Sequence, residues 1–156
     1  MTMMTHHSLS RTDGAGVYRR LLGLADRVPL SLVQLVSRLA VAQVFWHSSQ
    51  AKLASWPVTV QLFTFEYRLP VIDPGVAAVL ATTAEVSGSI LLACGLFSRL
   101  ASLMLLCVTA TIQIFVYPGN WSEHLTWAAP LLLILVRGAG AVSIDHLAAR
   151  RFLRER

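Results

Sequence analysis

Residues Val76 to Phe97 read VAAVLATTAEVSGSILLACGLF, a stretch with one charge, Glu85. As a helix it is about 33 Å long at 1.5 Å per residue, enough to cross a hydrocarbon core about 30 Å thick. Backbone N–H and C=O groups in lipid must bond within their own segment, so a crossing of this kind is helical. Downstream, a second apolar stretch runs from Leu100 to Tyr117. A third runs from Leu125 to Val136 and borrows Trp121 to His124 as an interfacial start. Upstream lies Leu30 to Ser49, interrupted by Arg38. The pattern predicts an all-α fold: an integral-membrane four-helix bundle with spans over 30–49, 76–97, 100–117 and 121–136.

Composition agrees. Of 156 residues, 55% are hydrophobic and 13% charged, with mean hydropathy +0.61 and Lys52 the only lysine. A soluble domain carries about 25% charged residues. Eight acids and thirteen bases cannot wet the surface of so small a domain. This excludes a nucleic-acid-binding module, a disordered chain and an ordinary soluble enzyme. The net charge of +5 is distributed as membrane topology would have it. Arg11, Arg19, Arg20, Arg27, Arg99, Arg137, Arg150, Arg151, Arg154 and Arg156 fall on one side, and Lys52 and Arg68 on the other. Basic flanks are retained inside, which predicts both termini in the cytoplasm of a bacterial inner membrane. The first span is too long for a signal-peptide core and lacks a small-residue cleavage site, so it reads as an anchor.

The connecting segments have their own signals. Residues 1–14 read as a disordered tail, and 15–156 as one membrane domain. Val17, Leu21, Leu24 and Val28 share a helical stripe with Arg19, Arg20 and Arg27 off it, predicting an amphipathic helix on the membrane surface. Pro57 opens and Pro70 closes an aromatic segment, Val58 to Leu69, which suits an interfacial lid on the outer side. Asp73-Pro74 forms an N-cap and first-turn pair for the second span. Gly138 and Gly140 end the fourth span, and Ser143 caps a cytoplasmic helix over 144–155. Gly138-x-Gly140 lacks the strand and third glycine of a dinucleotide fingerprint.

Polar groups at membrane depth are the candidate site. Counting 1.5 Å per residue from the inner ends puts Arg38 at about 12 Å, Glu85 at about 18 Å, and Gln43 and Gln113 near 20 Å. Charges there seek partners, so Arg38 and Glu85 are expected to face the bundle interior and each other. Two readings stay open: a clamp that fixes packing, or a site that binds a polar ligand or quinone head group or relays a proton. On the outer side stand His47, Tyr117, Trp121 and His124. Interfacial aromatics are ordinary anchors, and two histidines without a third ligand make a poor metal site. No metal is therefore assigned, with His47 and His124 the only candidates. Cys94 and Cys107 form no Cys-x-x-Cys and read as inert packing. No catalytic residue is identifiable.

The landmarks Arg38, Val44-Phe45-Trp46-His47-Ser48, Lys52, Glu66-Tyr67-Arg68-Leu69-Pro70, Glu85, Gly95-Leu96-Phe97-Ser98-Arg99, Phe115-Val116-Tyr117-Pro118, Trp121, His124 and Arg137-Gly138 through Asp145-His146 resemble the DoxX family of small bacterial membrane proteins. The resemblance runs from about Leu35 to Leu147, with Ser48-Ser49 where the family usually has Ser-Gly and Ala139 where it commonly has proline. It implies a four-span bundle, recurrent charged positions at Arg38, Lys52, Glu85 and Arg99, and a link to quinone, thiol–sulfur or metal-peptide redox systems. The expectation is a redox-linked accessory subunit, with quinone the candidate cofactor. The lipid bilayer is its surrounding partner, and a second copy or redox proteins are candidate protein partners. The rivals are a non-enzymatic scaffold docking partners through its basic tail, and a small carrier for a metal or modified peptide.

Overall fold

The computed structural model describes residues 14–154. The tail expected over 1–14 lies outside them, apart from Gly14, as does Arg156. Seven helices follow in order: α1 (Gly14–Ala25), α2 (Leu30–Ala54), α3 (Trp56–Leu62), α4 (Pro74–Cys94), α5 (Ser98–Thr111), α6 (Trp121–Arg137) and α7 (Ile144–Arg154). α3 and α5 each continue into a π-helical turn, Phe63–Tyr67 and Ile112–Val116. There are no strands among the described residues.

α2, α4, α5 and α6 form a closed ring. Each packs on the next, and α6 returns to α2. Val41, Ala42 and Phe45 of α2, Leu92 of α4, Ala101 and Leu105 of α5, and Leu131 and Ile134 of α6 meet at its centre. Phe45 meets Trp127 edge to face at 5.9 Å. α4 and α5 come so close that a Cβ on Gly88 would lie 2.8 Å from Leu105 Cγ.

The distribution of polarity is inverted relative to a water-soluble bundle. Ser49, Thr82, Ser89, Ser98, Ser102 and Thr109 are buried between helices, while Val36, Leu80, Ile90, Leu100, Leu103, Ile114, Leu125 and Leu132 face outward. Small polar residues inside and large apolar ones outside suit helices packed in lipid, where close backbone approach replaces the hydrophobic effect. Pro74–Cys94 and Ser98–Val116 are long and apolar enough to cross, with mean hydropathies of 1.7 and 1.8.

Helix ends follow local chemistry. Asp73 Oδ1 accepts from Val76 N at 3.1 Å and caps α4, and Ser143 Oγ accepts from His146 N at 3.2 Å and caps α7. Gly95 ends α4 with φ +69°. α5 is capped from a distance: Asp145 accepts from Phe97 N at 2.8 Å and Ser98 N at 2.9 Å. This carboxylate sits at the positive end of α5 and ties α7 to it. α2 runs to Ala54, five residues past the expected Ser49, so Lys52 belongs to a core helix.

Candidate functional site

Lys52 is the centre of the interior polar site. Its Nζ donates to Glu85 Oε2 at 2.8 Å, to Glu85 Oε1 at 2.9 Å and to Ser48 Oγ at 2.7 Å. All three ammonium protons are used. Lys52 is 8% exposed and Glu85 1%. A helical side chain leans toward its own N-terminus, so lysine from the last turn of α2 reaches down into the bundle to meet a carboxylate halfway along α4. Ser48 and Lys52 stand at i and i+4 on one face of α2.

A lid closes this end. Thr59 Oγ1 of α3 donates to the Lys52 carbonyl at 2.7 Å. Phe63 packs on Ala77 and Ala78 of α4, with Tyr67, Leu69 and Ala81 around them. Tyr67 stacks edge-on with Phe63 at 4.7 Å and with Tyr117 at 6.2 Å. The Tyr117 hydroxyl donates to Glu66, joining the lid to the end of the π turn after α5. That bond, with lesser burial, pushes the Tyr117 phenol up to about 12. Tyr67 is also raised, first by burial, then by the Glu85 and Glu66 charges. Thr82, one turn from Glu85 on α4, has a buried hydroxyl without a partner among the described residues.

The expected Arg38–Glu85 pair is not what the structure holds. Arg38 is 2% exposed, and its guanidinium grips backbone instead. Nη1 donates to Ala139 O at 2.9 Å and Val142 O at 3.0 Å, and Nη2 to Ala93 O at 3.4 Å. Gln34, one turn earlier, donates to Arg137 O at 3.2 Å and Gly138 O at 3.0 Å. The depth count fails because the spans do not start flush. Ser31 and Gln34 already lie beside Gly138 and Gly140, and the Arg38 guanidinium reaches the end of α4 at Ala93 and Gly95, so Arg38 sits near the helix ends and below the level of Glu85. There it satisfies one orphan carbonyl at the end of α4 and two carbonyls of the turn between α6 and α7.

The other candidates separate in the same way. Gln43 and His47 face outward from α2. Gln113 and His124 are buried and bonded to each other, Nδ1 to Oε1 at 2.6 Å. His47 and His124 therefore do not share a face, and no group of three metal-ligating side chains converges among the described residues. Tyr117 and Trp121 are exposed, Tyr117 bonded to the lid as above. Arg99 is exposed and donates to Val136 O at 3.4 Å. Sequence reasoning missed Ser48, Thr59, Gln34 and Asp145. The i, i+4 pairs Ser48/Lys52 and Gln34/Arg38 carried a signal for two of them. The long-range bonds of Thr59 and Asp145 carried none.

The geometry now includes a polar pair inside a lipid-facing bundle, with both members on helices joined by a lid. The sequence profile described as DoxX matches residues 33–118. The chain belongs to the DoxX family. The matched residues take in nearly all of α2, the lid, α4, α5 and its π turn, so Lys52 and Glu85 both belong to the DoxX segment. His124, α6 and α7 lie beyond it. Comparison with curated proteins and with solved structures gave no match. As a DoxX protein with helical spans, the chain is a membrane protein, and its outward apolar faces contact the bilayer.

Proposed function

We propose that this DoxX protein is a redox-linked accessory subunit of a bacterial cytoplasmic membrane, with both termini inside, and that the Lys52–Glu85 pair holds a proton or polar ligand beneath the outer lid. The observation that carries the reading is the pair itself, an ion pair of 2.8 Å buried between α2 and α4 inside the bundle. Intramembrane ionisable groups are costly and mark pathways for protons and ligands. Packing alone is a poor reason to keep one, because apolar residues of similar volume hold a core as well or better. Arg27, Arg99, Arg137, Arg150 and Arg151 lie on the loops and helix ends opposite the lid, which supports the orientation. Quinone, thiol–sulfur or metal-peptide systems are the redox partners in view.

The test replaces both charges together, Lys52→Met with Glu85→Gln, in cells lacking the native chain. The expected result is a protein that inserts and packs yet fails to restore the redox state of the membrane quinone pool. Full restoration would return the pair to a packing role. A scaffold reading draws support from α7, whose exposed Arg150 and Arg151 stand on a helix anchored by Asp145. Truncation after Leu147 would then lose partner association and leave the redox readout unchanged.

A further inference from the structure

Between the end of α5 and the start of α6 lies a groove of about 250 Å³, lined by Leu106, Thr109, Gln113, Trp121 and His124 among others. It sits on different helices from the Lys52–Glu85 pair, and His124 lies outside the family-matched residues.

The wiring of the groove fixes its polarity. The Pro118 carbonyl can only accept, so Gln113 turns its Nε2 toward it, at 2.8 Å. Gln113 Oε1, also an acceptor only, then faces His124 Nδ1 at 2.6 Å. Nδ1 must carry the proton of the neutral ring, which leaves Nε2 with a bare lone pair. Among the described residues no protein donor meets Nε2, though His124 is only 3% exposed. Trp127 lies against the ring at 5.1 Å and holds it in place. His124 is one of the residues lining the groove, so the acceptor that its bond to Gln113 leaves over for a guest there is Nε2, in an otherwise largely apolar lining where an unmet acceptor is expensive.

We propose that this groove binds the head group of a membrane-soluble phenol or hydroquinone, whose hydroxyl donates to His124 Nε2. The size suits one substituted ring, since an apolar cavity of about 150 Å³ already takes benzene. Ile114, Trp121 and Leu125 face outward around it, so a hydrocarbon tail leaves directly into lipid. The oxidised quinone presents only carbonyl oxygens, which meet the Nε2 lone pair acceptor to acceptor. The site thus selects the reduced form. It rests on the redox reading only for the identity of its natural ligand.

The test is equilibrium binding to the full chain in lipid nanodiscs at mildly alkaline pH, under nitrogen. A short-chain benzohydroquinone is compared with its benzoquinone. The hydroquinone is expected to bind about tenfold more tightly, the worth of one good hydrogen bond. His124→Phe should abolish that preference, and Gln113→Leu, which frees the tautomer, should reduce it. Ala110→Trp fills the groove without touching the polar pair and should block both forms, so the proposal stays testable if His124→Phe misfolds. Equal affinities, a preference that survives His124→Phe, binding by neither form, or a co-purifying phospholipid that the hydroquinone cannot displace would each overturn it. The binding is read on the purified chain with no redox partner or turnover, which separates failure here from failure of the redox reading.

Discussion

At the scale of the residue, the Lys52–Glu85 contact sets what each partner can tolerate. Removing one member strands the other charge in a dry interior. Lys52→Met or Glu85→Gln alone is expected to cost about 3–5 kcal/mol, and the double variant far less than the sum. Reversible unfolding in mixed micelles measures the cycle, and additive losses would show that the two groups do not couple. Tyr117 makes a second prediction. Its phenol is held at about 12 by Glu66, against an ordinary value near 10. A raised folded value means that the bond stabilises the lid fully below about pH 10 and is lost as pH rises through the folded value. Ultraviolet titration of tyrosinate should show this late ionisation, and Glu66→Gln should move it back toward the ordinary range. Gly95 is the most constrained backbone position. It combines φ +69° with a would-be Cβ 2.5 Å from Arg38 Nη1. Gly95→Ala is expected to destabilise by at least about 1–2 kcal/mol through the left-handed backbone alone, with the displaced guanidinium adding to it.

At the scale of the element, helix ends explain most of the buried polar chemistry. Arg38 and Gln34 act as a clasp, one turn apart on α2, that closes on the Arg137–Val142 turn. Asp145 performs the complementary task at the other sign, bringing a carboxylate to the N–H groups of α5. Asp145→Ala should cost about 1–2 kcal/mol and loosen α7 along with the start of α5. Hydrogen exchange at Phe97 and Ser98 is the readout, and unchanged protection there would show that the cap is dispensable. The lid has a similar logic on the opposite face. Thr59 fastens its start to α2, Phe63 plugs its middle into α4, and Glu66 fastens its end to Tyr117.

At the scale of the whole molecule, the outward apolar faces and inward small polar residues decide where the protein resides. Cys94 and Cys107 report on this, being free and outward-facing at different depths. Cys94 ends α4 on the arginine-rich side, while Cys107 lies within α5. A charged maleimide offered to the arginine-rich face, which is the cytoplasmic one in the orientation proposed above, should label Cys94 in sealed vesicles and spare Cys107. A thiol surrounded by hydrocarbon meets no water-soluble reagent. Labelling of Cys107 in intact vesicles would contradict its placement in lipid.

How much of this was legible follows from which forces are local. Hydrophobic run length, the Asp73 and Ser143 caps and the glycine terminators act over a few residues, so the four long helices, the aromatic segment between the first two of them and the final helix could be read directly from Val76–Phe97 and its neighbours. Depth could not. It depends on how far one helix overhangs another, and counting from each span's own end assumed flush ends that α2 does not have. The tertiary structure therefore decided that Lys52, not Arg38, meets Glu85, that Gln43 and His47 face away, and that Gln113 and His124 become partners. A pairing between helices is set by the relative slide of two cylinders. Slide is fixed by packing at Gly88, Phe45 and the Arg38 clasp together, and no single stretch of sequence contains it.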